Sequence, residues 1–262
     1  MPLADCFANK PALVVYVTCG DPDLDTSRDV ILAAVDAGAD VIELGVPFSD
    51  PVADGPVIQR AMDRACRNHV SLQHVIDLAA EVKSARPQAG LVVFSYLNPI
   101  LRYGMKRFAG EAKQAGVDAI LCTDMTVEES AEYVQSMRGH GLDTVFLAAP
   151  TSTDERLRRI ADAGSGFIYA VSRLGVTGAR SDVSSDARSL VERIKRVTSL
   201  PVAVGFGVSS REQFRAVGEY ADAVVIGSAI VSMIEQEHKN APTAVAEFVR
   251  SVKAGSAAVL GV

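Results

Sequence analysis

The sequence predicts an α/β fold, a single (β/α)8 TIM barrel over residues 1–262 with an extra N-terminal segment and a mobile loop after strand six. Three observations carry that expectation. Short continuous apolar runs rich in β-branched residues alternate with longer amphipathic stretches, the pattern of a parallel sheet covered by helices. The runs number eight, enough to close a barrel. One phrase recurs where a helix hands over to a strand, as DAGADVIEL (36–44), QAGVDAIL (114–121) and EYADAVVI (219–226), and such self-similarity marks a repeated βα unit. An open doubly wound sheet is the alternative, but no GxGxxG follows the first run and no break in composition divides the chain.

Taken in order, the apolar runs place strands at 13–18, 41–44, 91–95, 119–122, 144–147, 167–170, 202–204 and 223–226. The amphipathic stretches between them place helices at 27–37, 72–85, 106–115, 127–140, 154–163, 186–197 and 211–220, with two more at 229–235 and 243–252. With 48% hydrophobic and 22% charged residues, the chain has the means to bury a large core. Its net charge of −6 argues against a nucleic-acid face, which needs clustered Lys and Arg. Cys6, Cys19, Cys66 and Cys122 are scattered without a CxxC pair, so neither a disulfide framework nor a metal site is expected. A reducing, cytoplasmic setting is the default. The first residues lack the pattern of a signal peptide, and no apolar stretch approaches the ~20 residues that span a bilayer, so no membrane partner is expected.

Catalytic groups of such barrels sit at the C-terminal ends of the strands. After strand two the chain reads ELGVPFSDPVADGPVIQ (43–59). Glu43 interrupts an apolar strand, where an unpaired carboxylate is costly. Either a buried Lys or Arg pairs with it, or its pKa is raised toward neutrality and it exchanges protons. The proline-rich loop that follows holds Asp50 and Asp54. Helix capping accounts for one aspartate, but three acids converging on one strand end point to chemistry. A metal is the competing reading, with His69 the nearest histidine in sequence. Glycine-rich turns follow strand seven (204–210, VGFGVSS) and strand eight (226–230, IGSAI), where barrels commonly hold phosphate on backbone N–H groups. Tight βα turns account for each alone; the pair in this order points to a phosphorylated ligand.

The segment 43–59 closely resembles the signature of tryptophan synthase alpha chains, and TCGDP, YLNP, GVDAIL and the S-x-x-G-V-T-G loop after strand six extend the resemblance over essentially the whole chain. The resemblance implies retro-aldol cleavage of indole-3-glycerol phosphate to indole and glyceraldehyde 3-phosphate. It implies that Glu43 is the acid/base and that Asp54 binds the indole N–H. It also implies that Thr177 meets Asp54 when the lid closes, and that Gly178, Gly207, Gly227 and Ser228 hold the phosphate. Tyr16, Phe94 and Leu121 are either indole-pocket or core residues. Tyr96 is placed among the substrate-binding residues. Tyr169 either positions Glu43 or substrate, or simply packs. No cofactor is implied in this chain; pyridoxal phosphate would belong to a β subunit in an α2β2 tetramer, docked by loops around Pro51, Asn98 and Asp124. A free-standing lyase, and a chain that mainly activates a β subunit, are the alternatives. The sequence departs from the family's pattern in a short segment before strand one and in Thr126, where proline is usual.

Overall fold

A computed structural model describes residues 3–171, 182–205 and 207–254. Eight parallel strands pair in sequence order and close on themselves: β1 (Ala12–Thr18), β2 (Val41–Gly45), β3 (Gly90–Ser95), β4 (Ala119–Cys122), β5 (Asp143–Ala148), β6 (Ile168–Val171), β7 (Val202–Gly205) and β8 (Ala223–Ile226). Each lies within one residue of its predicted bounds. Around them run α1 (Leu24–Ala37), α2 (Pro56–Arg67), α3 (Leu72–Ala85), α4 (Leu97–Tyr103), α5 (Met105–Gln114) and α6 (Ala131–Gly139). The ring continues with α7 (Asp154–Ala163), α8 (Asp182–Lys195), α9 (Arg211–Gly218), α10 (Ser228–Glu237) and α11 (Ala241–Lys253). The sequence reading did not include α2 or α4. The first is largely polar, with Ala61, Met62 and Ala65 its buried residues, and the second has seven residues, one of them a proline. The predicted helix over 127–140 is a 3₁₀ turn, Val127–Glu129, followed by α6.

Side chains alternate between two cores, because successive strand residues face opposite sides. Leu13, Val15, Ile42, Leu44, Leu91 and Val93 face outward into the helix layer. Val14, Val41, Val92, Leu121, Val145, Phe167 and Val225 fill the barrel. A 3₁₀ turn at Leu3–Phe7 closes its floor, with Leu3, Cys6 and Phe7 buried there and the Phe7 ring 5.5 Å from Phe167.

The recurring phrase has a structural cause. Asp40, Asp118 and Asp222 each stand just before a strand, and each pairs twice with the strand before. Their amides donate to the carbonyls of Leu13, Leu91 and Val202 at 2.9 Å in all three cases. Their carboxylates accept from the amides of the same residues at 2.7, 2.9 and 2.9 Å. A lysine completes each: Lys253 at 2.8 Å, Lys83 at 2.9 Å, and for Asp222 both Lys10 at 2.5 Å and Lys195 at 3.3 Å. Between β5 and β6 a hydroxyl does the same work, Ser165 Oγ accepting from the Thr144 amide at 3.0 Å. The device fixes register at the floor, away from the catalytic end.

Burial alone would raise the Asp222 carboxyl, but hydrogen bonds from Lys10 and the Val202 amide, with the charges of both lysines, outweigh it and hold the group below its ordinary range. A depressed folded pKa means that the stability is present above the unfolded value and lost as pH falls through the folded one. Asp222→Ala leaves the Val202 amide unpaired in a buried place and is expected to lower stability by about 1–3 kcal/mol, with Asp222→Asn in between. Urea denaturation at neutral pH measures it; an unchanged midpoint for the alanine variant contradicts the assignment.

Candidate active site

Among the described residues, one ionisable carboxyl stands in the apolar interior of the barrel. Glu43 lies on β2 opposite Tyr16 of β1 and Val92 of β3. It is fully buried, and neither carboxyl oxygen has a hydrogen-bond partner. No Lys or Arg among the described residues pairs with it, which removes the reading of Glu43 as half of a structural ion pair. Desolvation therefore acts unopposed, raising its pKa to about 8. At neutral pH the group is largely protonated.

Two tyrosines flank it. Tyr16 and Tyr169 point into the barrel, and glycines give their hydroxyls room: a Cβ on Gly45 would lie 2.3 Å from the Tyr16 hydroxyl, and one on Gly205 would lie 2.1 Å from that of Tyr169. Any side chain at either position would expel the ring. Burial is the main cause that pushes both phenols up. For Tyr169 the charges of Glu43 and then Asp54 add, and for Tyr16 the charge of Asp54 comes before that of Glu43. Phe94, half-buried, meets Tyr16 edge-on at 5.1 Å, and Leu121 lines the same interior. Gly45 lies in the signature segment and Gly205 in the glycine-rich turn after strand seven, but the sequence assigns neither a role beside a tyrosine, since those contacts cross between strands.

Asp54 stands in the loop before α2. Its Oδ2 accepts from the Tyr96 hydroxyl at 2.7 Å, and that hydroxyl accepts from the Ala53 amide at 3.0 Å. Tyr96 is 1% exposed, so it holds the Asp54 loop from below the surface. Burial raises the Asp54 carboxyl, and the Tyr96 hydrogen bond opposes part of that rise. Asp50 does not join the other two acids. It is exposed, and the Ser49 hydroxyl donates to it at 2.5 Å. The convergence is of two carboxyls, not three. Among the described residues no group of three or more His, Cys, Asp and Glu side chains is placed to hold a metal ion.

At the C-terminal turns, Gly207 has a φ of 76° and is exposed, and Ser210 caps α9 by accepting from the Gln213 amide. Gly227 is the N-cap of α10, without a capping side chain, and Ser228 opens that helix. Thr177 and Gly178 lie outside the described residues. Asp124 ties two loops together, accepting from the Leu97 amide at 2.7 Å. Thr126 heads the 3₁₀ turn and donates to Glu129 at 3.4 Å.

A family profile described as tryptophan synthase alpha chain matches residues 4–259. The chain belongs to the tryptophan synthase alpha chain family. The alpha chain of Solibacter usitatus is 46% identical over 257 residues, covering 97% of this chain and 96% of that protein. That of Methylococcus capsulatus is 48% identical over 227 residues, covering 87% and 85%. Among solved structures, tryptophan synthase subunit alpha from Legionella pneumophila superposes with a TM-score of 0.89 at 31% identity over 97% of each chain. A chain of the tryptophan synthase a2b2 complex from Pyrococcus furiosus gives 0.87 at 41% identity over 93% of this chain and 98% of that one. As a member of the family the chain is a lyase of tryptophan biosynthesis that cleaves indole-3-glycerol phosphate. No helix among the described residues is long and apolar enough to cross a membrane.

A buried acid with a raised pKa leaves a thermodynamic trace. Stability associated with Glu43 is fully present below its unfolded pKa and is lost as pH rises through the folded value near 8. Glu43→Gln removes the titration. The variant is expected to gain on the parent chain as pH rises from about 4.5 to 8, reaching on the order of 4 kcal/mol. Urea denaturation of both proteins across that range reads it; two parallel stability curves contradict the raised pKa.

Proposed function

We propose that Glu43 is the acid/base of the cleavage and Asp54 the group that holds the indole N–H. The observation that carries this reading is a carboxyl inside an apolar barrel, buried without a partner among the described residues, pushed up to about 8 by that burial, and within electrostatic reach of the same tyrosines as a second carboxyl. The neutral Glu43 carboxyl gives its proton to C3 of the indole ring, producing an indolenine-like cation. Asp54, held by Tyr96, accepts from the ring N–H and stabilises that cation. The Glu43 carboxylate then takes the proton of the glycerol hydroxyl next to the ring as the carbon–carbon bond breaks. This releases indole and glyceraldehyde 3-phosphate and restores the acid. Acid–base assistance of this kind contributes on the order of 10²–10⁴ in rate. Tyr96 acts through Asp54. Tyr16, Phe94, Leu121 and Tyr169 line the ring site.

The phosphate is assigned to backbone N–H groups at Gly207, Gly227 and Ser228, where α10 starts without a capping side chain. Gly178 would add a further N–H, and Thr177 would meet Asp54. The chemistry needs no cofactor in this chain. Four unpaired thiols among the described residues suit a reducing cytoplasm.

The partner is a β subunit, in an α2β2 assembly like that of the Pyrococcus furiosus relative, with pyridoxal phosphate on the β side. Val52 at 85% exposure and Leu101 at 53% are the exposed large hydrophobics among the described residues. Val52 stands in the segment after β2 that carries Pro51, and Leu101 in α4 after β3 with Asn98, and the docking face is assigned to these segments and to the loop at Asp124. Delivering indole across an interface also keeps a small apolar product from escaping.

Glu43→Gln is expected to cut cleavage of indole-3-glycerol phosphate by at least about 10²-fold while glycerol 3-phosphate still binds. Retention of most activity overturns the role. Leu101→Asp is expected to leave the activity of the isolated chain unchanged and to weaken activation by the cognate β subunit by about tenfold in apparent affinity. Full activation at parental concentrations places the docking face elsewhere.

A further inference from the structure

Asp54 stands two residues ahead of α2, and Gly227 directly ahead of α10, so the roll and slide of these helices set the distance between the ring site and the phosphate turn. Neither helix has a capping side chain, since Gly55 and Gly227 are the N-cap residues, and Tyr96 and Gln59 hold Asp54 locally at the α2 start. The fastening of one helix to the other lies further along. Arg64 on α2 sends Nε and Nη2 to the two oxygens of Asp21 at 2.7 and 2.9 Å, and Nη1 to Glu235 on α10 at 2.7 Å. Arg60, one turn earlier, grips both oxygens of Glu235 at 2.9 and 2.7 Å. Asn68 at the end of α2 donates to the carbonyls of Gly20 and Pro22 at 3.2 and 2.5 Å. The loop after β1, α2 and α10 are thereby joined by one array of charge-assisted bonds.

The array does more than satisfy one buried charge. Asp21 is 2% exposed and needs Arg64, but Arg60 is 53% exposed and Glu235 27%, where an isolated pair would contribute little and bidentate, networked geometry is what adds strength. The apolar seam between the helices is small, Ala61 and Met62 meeting Val231. The bidentate fork of Arg60 on Glu235, with the single bond from Arg64, fixes angle as well as distance between α2 and α10.

We infer that Arg64 and Glu235 are positioning residues that lock α2 to α10, so that filling the phosphate turn and placing Asp54 against the indole ring are coupled. This rests on the assignment of Asp54 and the phosphate turn given above. Binding at the phosphate end of the substrate is then used at the reacting end. The coupling is reciprocal: a phosphate ligand tightens indole, and indole tightens the phosphate ligand by the same factor.

Titrating indole into the isolated chain by ligand-observed NMR, with and without saturating glycerol 3-phosphate, measures the coupling. In the parent chain the phosphate ligand is expected to tighten indole about tenfold. In Glu235→Gln each ligand alone is expected to bind within about twofold of the parent while the coupling falls toward unity. Arg60→Ala removes an exposed arm, folds regardless, and is expected to lose part of the coupling. A merely structural role would weaken binding of each ligand and leave their ratio alone. No coupling in the parent, or full coupling in both variants, overturns the inference. Asp54→Asn separates the two layers: loss of indole affinity supports the assignment beneath, whereas normal affinity in that variant overturns it and the inference together.

Discussion

A carboxyl group buried inside a closed apolar barrel must either find a partner or stay neutral, and Glu43 has no partner among the described residues. An isolated charge there would cost several kcal/mol, so the proton stays on until the site itself supplies a reason to release it. The surroundings follow from that requirement. Two phenols, Tyr16 and Tyr169, stand near it, burial keeps both protonated, and the space for them is made by glycines on neighbouring strands. A lysine or arginine in that interior would stabilise the carboxylate and remove the acid. The second carboxyl, Asp54, sits at the mouth, partly exposed; burial raises it too, but a hydroxyl that donates to it opposes part of that rise. Two acids in one site thus meet different surroundings, one with a donor and one without.

The barrel can tolerate this because its stability is built elsewhere. The floor carries the register-fixing Asp40, Asp118, Asp222 and Ser165 and the plug of Leu3, Cys6 and Phe7. The two ends therefore divide the work, with satisfied charges below and an unsatisfied acid above. The array of Arg60, Arg64, Asp21 and Glu235 is the exception, a charged network at the upper end, and it joins the elements that carry the chemistry.

The strands were legible because burial on both faces writes each as an unbroken apolar run. Glu43 was legible for the same reason, as the one acid inside such a run. Asp54 was legible from its stiff loop, though Asp50 in that loop turned outward to Ser49, a difference of side-chain direction that spacing does not record. The helices α2 and α4 were missed, one for its polar sequence and one for its brevity. The recurring aspartates were seen as a repeat and their function was not, since each bonds a strand some 20 to 27 residues earlier. The roles of Gly45, Gly205 and the Arg64–Glu235 pair were not legible for a simpler reason: the glycines act on tyrosines of the neighbouring strand, and the ion pair joins helices far apart in sequence.

The central claim is that Glu43 is a neutral acid at the pH where the enzyme works. Infrared difference spectroscopy between the parent chain and Glu43→Gln, recorded through a pH titration, observes that proton directly. The result expected is a protonated carboxyl stretch, absent from the variant, that persists through neutrality and disappears near pH 8. A carboxylate signal already complete at pH 6 would contradict the account.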